Sequence, residues 1–432
     1  MTDLISKPAA SLTPQGSSRR NLVLGAAGVA GAAALSAPRL AFAQTAKIPV
    51  GLVVGLTGGA AAWGNPVTDA VKLAIEQVNA SGGIKSKKGA QIELIVADHQ
   101  SNPQMAGTQV ERVIQVNNVL ALIGNVQSGA TMVGSAAAEK NKTPMLSTDL
   151  ADALTNRGMR YYFRLGPRIS LLGNLTVDYA QAMAKQTGVV PKKVACIADD
   201  STFSQDAING VLAKLKNGPW PLQENVSFAA GQVSDFVPIL QRLKLGGVDM
   251  IFMATFPADG VAIQRAMKTL NYDPIAVVHV AGAPFSQAWV DNLKGDGNYV
   301  SDAVGFVAEL SSRNPVLAKF EDAYKAKYGK DLDDQTSLAV TVVGTLVDAL
   351  ERTPELTREA LTATLRTTDL KQGSNPYMLR DGAKFDAKGD NERTRGLIMQ
   401  IRDGKQRIVY PPEIATEKAA WPMPKWSDRK SA

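Results

Sequence analysis

The sequence predicts an α/β protein of two lobes, each a mostly parallel sheet flanked by helices, and three observations carry that prediction. Residues 47–102 read as strand, glycine-rich loop, helix, strand and turn. The alternation of short apolar runs with helical patterns then continues, and it restarts after Phe163-Arg164-Leu165-Gly166-Pro167. Finally, 432 residues, 45% hydrophobic and 20% charged, suffice for two separate cores and are too apolar for a disordered chain.

The elements follow in order. Ile48–Val54 is an apolar run too short for a helix, as in a strand buried on both faces. Gly55–Gly64 is a loop, after which Asn65-Pro66 is expected to cap a helix carrying Val67, Ala70, Val71, Ala74, Ile75 and Val78 at helical spacing. Asn79-Ala80-Ser81-Gly82-Gly83 stops it, and Gln91–Ala97 is the next strand. Asn102-Pro103 opens a helix to about Asn117, Val119–Ile123 is a strand, Gly124–Thr131 leads into a helix through Glu139, and Pro144–Ser147 is a fourth strand. Beyond the restart come helices at 169–186, 203–216 and 259–270, strands at 193–198, 248–254 and 275–280, and a helix opening at Pro284. Asn314-Pro315 caps a helix to Tyr328, Gln335–Arg352 is a long apolar helix, and Leu397–Ile401 is a strand before a hairpin at Asp403-Gly404.

The N-terminus carries a targeting segment. Arg19-Arg20 precedes an uncharged Gly/Ala-rich stretch to Pro38, and Ala41-Phe42-Ala43 is a small-x-small cleavage site before Gln44. The rival reading, an anchor that is never cut, needs about 20 strongly apolar residues, and this stretch is shorter and only mildly apolar. A cleaved twin-arginine signal over 1–43 is expected, with a soluble exported product. The net charge is +7, of which Lys7, Arg19, Arg20 and Arg39 against Asp3 lie in the leader, leaving about +4. No basic stripe interleaves with aromatics, so nucleic acid is not an expected partner. Cys196 is the only cysteine, which excludes an intrachain disulfide and a lipid anchor near the leader, and its apolar neighbours make it a core thiol.

Gly55-Leu56-Thr57-Gly58 with Trp63-Gly64, Ala74–Ile84, and Ala97-Asp98 with Asn102-Pro103 resemble the opening of the leucine/isoleucine/valine-binding family, the periplasmic solute-binding proteins of ABC importers. The resemblance is dense there and continues more loosely to about Tyr410. It implies a two-lobed type I periplasmic-binding-protein fold with lobe 1 at 44–166 and 312–396, lobe 2 at 167–311 and 397–410, and an extended tail at 411–432. Several strands then join the lobes, a topology suited to a hinge.

Catalytic and metal chemistry finds little support in the residues. The glycine loop matches neither dinucleotide nor P-loop spacing, His99 and His279 are not spaced as metal ligands, and no serine lies in a G-x-S-x-G elbow. His279 ends an apolar strand, where it reaches the cleft or serves as a hydrogen-bonded structural residue, the second being the expectation. No enzyme and no cofactor are expected. The resemblance instead implies a solute site at strand ends: Trp63 as the aromatic closing over the ligand, Gln127 and Ser128 at the carboxylate-binding serine, Phe203 as the second lobe's aromatic, and Phe256 with Asp259 at the acidic position that holds an ammonium. The other reading of these residues is a core Trp, an N-cap Ser, a core Phe and a helix-start Asp. Thr148 and Asp149 belong to the loop where amino-acid binders carry a clamping threonine. Here Ser147–Asp152 is one residue shorter, with Leu150 or Ala151 at that place. The amino-acid clamp is therefore expected to be incomplete, which opens the site to a related carboxylate or amide. The expected partners are a small solute and an inner-membrane ABC permease, with the protein a monomer. The competing readings are a Tat-exported enzyme and a ligand-sensing partner of a membrane receptor.

Overall fold

A computed structural model describes residues 46–429, so the leader with Arg19-Arg20 and the cleavage site at Ala41–Ala43 lies outside the described residues. The chain opens with β1 (Lys47–Val54), α1 (Ala61–Ala80), β2 (Gln91–Asp98), α2 (Pro103–Asn117), β3 (Ala121–Gly124), α3 (Ser128–Lys140), β4 (Met145–Ser147) and β5 (Tyr162–Arg164). These strands form one parallel sheet in the order β2-β1-β3-β4-β5. β1 lies inside it and is buried from Val50 to Val54, which explains its unbroken apolar run. Asn102 caps α2 as expected, accepting from the N–H groups of Gln104 and Met105 with Pro103 in the first turn.

The helix expected to start at Asn65-Pro66 begins earlier, at Ala61, and Pro66 sits inside it. The reason is packing against the preceding loop. A side chain at Gly64 would stand 2.0 Å from the Gly55 carbonyl, so α1 starts in direct contact with the end of β1, and Asn65 turns its amide back onto the carbonyls of Leu56 and Ala61. Phe163 and Arg164, which open the Phe163–Pro167 segment after which the strand-helix rhythm restarts, belong with Tyr162 to the fifth strand of this sheet.

The second sheet has seven strands. α4 (Ile169–Thr187), β6 (Val194–Asp199), α5 (Thr202–Leu215), β7 (Leu222–Phe228), α6 (Val237–Leu245), β8 (Met250–Ala254), α7 (Pro257–Thr269), β9 (Ala276–Val280), α8 (Gln287–Leu293) and β10 (Ser301–Val304) follow. The chain then makes α9 (Pro315–Tyr328), α10 (Asp334–Arg352), α11 (Arg358–Arg366), a small β11 (Asp369–Lys371) and β12 (Gly382–Lys384) pair, β13 (Leu397–Arg402) and β14 (Lys405–Tyr410). The order is β14-β13-β10-β9-β8-β6-β7, with the β10–β13 and β13–β14 pairs antiparallel and the other pairs parallel. The β13–β14 turn holds Asp403 at φ 49° and Gly404 at φ 70°, the left-handed pair a tight hairpin needs. α1 packs on α10, so the chain returns to the first lobe after β10, and it passes between the sheets again from β12 to β13.

Several elements have no counterpart in the sequence reading. β7 is an edge strand of sequence LQENVSF, exposed along much of its length, and so lacks an apolar run. β10 has four residues with a buried Asp302 among them, and α6 and α11 have nine each, too short for a strong periodic signal. Pro284 opens only a turn at 283–285, with α8 starting at Gln287. The segment after β14 lies along the second lobe: Trp421 Nε1 donates to Val189 O at 2.9 Å, Met423 N to Ile275 O at 2.8 Å and Trp426 Nε1 to Tyr272 O at 2.9 Å.

Candidate functional site

In the first sheet β1 lies between β2 and β3, and in the second β6 lies between β7 and β8. At both places successive connections depart to opposite sides, which leaves a crevice at the carboxyl ends of the strands. The segments leaving β1 and β3 carry Trp63, Gln127 and Ser128, and those leaving β6 and β8 carry Phe203, Phe256 and Asp259.

Trp63 joins the two lobes. It is 4% exposed, its ring stacks on Phe285 with centroids 5.4 Å apart and planes at 16°, and it meets Phe256 at 5.0 Å and Phe203 at 6.1 Å. Phe203 and Phe256 are 6.2 Å apart. One ring from the first lobe thus sits among three from the second, a geometry in which edge and stacked contacts are both favourable. The indole Nε1 has no partner. Phe285 was not among the expected residues, although the loop Ala281–Phe285 after β9 carries the same signal of a bulky ring just past a strand end. Phe285 also lines a crevice of about 610 Å³ that Ala61, Ala62 and Thr336 border from the first lobe and Gln287 and Gln406 from the second.

The polar residues of the first lobe form a separate network. Ser128 is the first residue of α3 and not its cap; Gln127 holds the cap position, makes no side-chain cap bond, and has its Oε1 buried without a partner. Asp149 is 3% exposed and accepts from Thr131 Oγ1 and from Ser147 Oγ at 2.8 Å. Burial pushes its carboxyl up to about 6, against the hydroxyls of Thr131, Ser147 and Ser128, which favour the charge. Thr148 is fully buried and its hydroxyl donates to Asn125 O at 2.8 Å. The loop beyond is held by Arg164, whose Nη1 donates to the carbonyls of Leu150 and Ala151, both at 2.8 Å. Arg164 and Arg168 share Asp390.

On the second lobe, Asp259 lies in the first turn of α7, is 5% exposed, and accepts the Gly231 N–H at 2.9 Å. Burial raises its pKa and the charge of Asp199 adds to the rise, while the Gly231 N–H opposes it. Asp199 in turn accepts the N–H groups of Ser201 at 3.0 Å and Phe256 at 3.2 Å. The structure therefore brings Trp63, Phe203 and Phe256 into contact, gathers Ser128 and Asp149 into one network, places Asp259 within the field of Asp199 without a bond between them, and sets Thr148 back against a backbone carbonyl.

His279 fits neither of its expected places. It is fully buried beside Trp289, has no hydrogen-bond partner on either nitrogen, and burial pushes its pKa down to about 3, so it is a neutral core residue. Cys196 is a buried thiol pushed up to about 12 by burial. Among the described residues no group of three or more His, Cys, Asp or Glu side chains is arranged to hold a metal ion, and no helix is long and apolar enough to cross a membrane.

Comparison with known proteins agrees with this architecture. A family model described as periplasmic binding protein matches residues 47–405. The Leu/Ile/Val-binding protein homolog 7 of Brucella melitensis is 28% identical over 386 residues, covering 88% of this chain and 95% of the relative. The branched-chain amino acid transporter substrate binding protein LivJ of Streptococcus pneumoniae, solved with isoleucine, superposes with a TM-score of 0.74 at 23% identity, over 84% of this chain and 100% of that one. An R. palustris ABC-transporter solute binding protein, solved with benzoate, gives a TM-score of 0.73 at 18% identity, over 84% of this chain and 95% of that one.

Proposed function

The chain belongs to the periplasmic binding protein family, whose members bind solutes and are not enzymes, and from that premise we propose that it captures a small solute between its lobes and hands it to an inner-membrane ABC permease. The observation that carries this reading is Trp63 of one lobe enclosed by Phe203, Phe256 and Phe285 of the other at the strand ends. Such contacts form only when the lobes are together, so a solute that touches both sides favours closure by its differential affinity for the closed state. The roles follow from position. The rings cover the apolar body of the solute, α3 offers uncapped N–H groups near Gln127 and Ser128, and Asp259 is the acidic partner for a donor. The solute is an amino acid or a related carboxylate or amide. The lobes span 44–166 with 312–396 and 167–311 with 397–410, the protein acts as a monomer, and a twin-arginine signal directs export.

Two measurements test this. A thermal-shift screen of amino acids, aromatic acids and amides should find a stabilising solute, worth about 2.7 kcal/mol at 100 times its Kd; a flat screen across all three classes contradicts the reading. Intact mass of the periplasmic protein should place its first residue at Gln44, and material retaining Arg19-Arg20 in the membrane fraction contradicts the export proposal.

A further inference from the structure

We infer that Asp152 and Asp206, one carboxylate from each lobe, latch the lobes together, each capping the start of a helical turn on the opposite lobe, so that the chain itself helps to hold the closed state; this rests on the reading that the lobes open and close about a solute. The first N–H groups of a helical turn have no partner within it and need an acceptor from outside. At two such starts, where the lobes meet, no local side chain supplies one. Arg168, ahead of α4, makes no side-chain cap bond, and neither does Ala151, ahead of the helical turn Asp152–Leu154 that follows β4. Each start is capped from the other lobe. Asp152, on the first lobe, accepts the Ser170 N–H at 3.1 Å and the Ser170 hydroxyl at 2.6 Å, and the Ile169 N–H beside them goes to Leu150 O at 2.9 Å. Asp206, on α5 of the second lobe, accepts the Ala153 N–H at 3.1 Å.

Both sides of the latch are rigid. On the first lobe Arg164, fully buried and paired with Asp390, holds the turn through the carbonyls of Leu150 and Ala151. On the second, α4 packs on β9, β10 and β13, and it meets α5 backbone to backbone: a side chain at Gly173 would stand 2.5 Å from Ala207 O, and one at Gly210 2.5 Å from Ser170 O. Ser170 and Asp206 therefore move as one body. Phe203 lies three residues before Asp206, on the same face of α5, and it is a ring that meets Trp63, at 6.1 Å. Closing the aromatic group and docking the carboxylate are thus one movement. The two carboxylates repel each other, and Arg164 offsets this: burial and the charge of Asp152 raise the Asp206 pKa, while the Ala153 N–H and the charge of Arg164 oppose the rise. Neither contact needs a solute, so the latch acts in its absence.

Pulsed dipolar spectroscopy of the mature, solute-free protein tests this, with spin labels at Val116→Cys of α2 and Leu245→Cys of α6, both largely exposed, while Cys196 is buried out of the label's reach. The label-to-label distances should include a closed population. Asp206→Ala and Asp152→Ala should each lower its ratio to the open population at least about fivefold, with Asp206→Asn, which keeps an acceptor for the Ala153 N–H, in between. Ser170→Ala, which removes only a hydroxyl, should shift the ratio the same way by less, and it keeps the test in force where an aspartate variant fails to fold. Asp178→Ala, which breaks the ion pair with Lys214 between the same two helices inside the second lobe, should leave the distances alone. An equal shift from Asp178→Ala overturns the inference. So do distances that the Asp152, Ser170 and Asp206 variants leave unmoved but that an amino acid, aromatic acid or amide shifts, and these leave the solute-binding reading standing. Distances that neither the variants nor any solute of those three classes shift contradict closure itself, and this inference with it.

Discussion

The two faces of the cleft are built from different materials. The first lobe brings hydroxyls tied to Asp149, loop backbone groups tied to Arg164 and to Asp206 of α5, the uncapped start of α3, and a single large ring, Trp63. The second brings three phenylalanines and the buried Asp259. The difference separates two tasks. A buried polar network is stiff and directional, and its unpartnered atoms, Gln127 Oε1 among them, set what a solute must offer. Ring contacts are adaptable and large in area, so they supply the free energy of closing.

That division can be broken from either side. Trp63→Ala removes the only ring the first lobe lends to the aromatic group, and it should weaken binding of the solute that stabilises the protein most by about 3 kcal/mol or more, with a smaller loss in thermal stability. Calorimetry beside a melting curve checks it; a large drop in melting temperature with affinity intact would make Trp63 a core residue of its own lobe. Asp259→Asn should cost an amine-bearing solute about 1.5 to 3 kcal/mol, because a charge-assisted contact becomes a neutral one. An Asp259→Asn protein that binds an amine more tightly contradicts the role given to this residue.

The smallest effect concerns the polar floor. Asp149 rises from 3.8 to about 6 in the folded chain, so between those values the native state holds a proton that the unfolded state has lost. Its stability contribution is then complete at low pH and is lost as pH rises from about 4 through 6. Asp333, at about 6, and Glu321, at about 7, act in the same direction. Asp149→Asn should flatten the slope of stability between about pH 4 and pH 7 by about 1 to 2 kcal/mol. Denaturant melts across that range measure it, and an unchanged slope would mean that Asp149 does not titrate there.

How legible all this was depended on the kind of signal. β1, α2 and α9 carried apolar runs or Asn-Pro caps and lie within a few residues of their expected bounds. β7 and β10 did not, because an edge strand needs no apolar run and a four-residue strand can hold a buried Asp302. Trp63, Phe203 and Phe256 were reached through the family resemblance, and Phe285, a further ring just past a strand end, was not. The partners of Asp149 and the docking of Asp206 on Ala153 were not, since both join residues that local pattern leaves unrelated, 18 and 53 positions apart. Hydrogen-bond partners set by tertiary packing leave no periodicity to read.

The central claim is that a solute draws these two unlike faces together. Small-angle scattering of the mature protein, with and without the solute that stabilises it most, tests this directly. The radius of gyration should fall on saturation, and should fall less in Trp63→Ala at equal occupancy. A solute that binds at saturation and leaves the radius of gyration unchanged would contradict the account, because the site would then lie on one lobe alone.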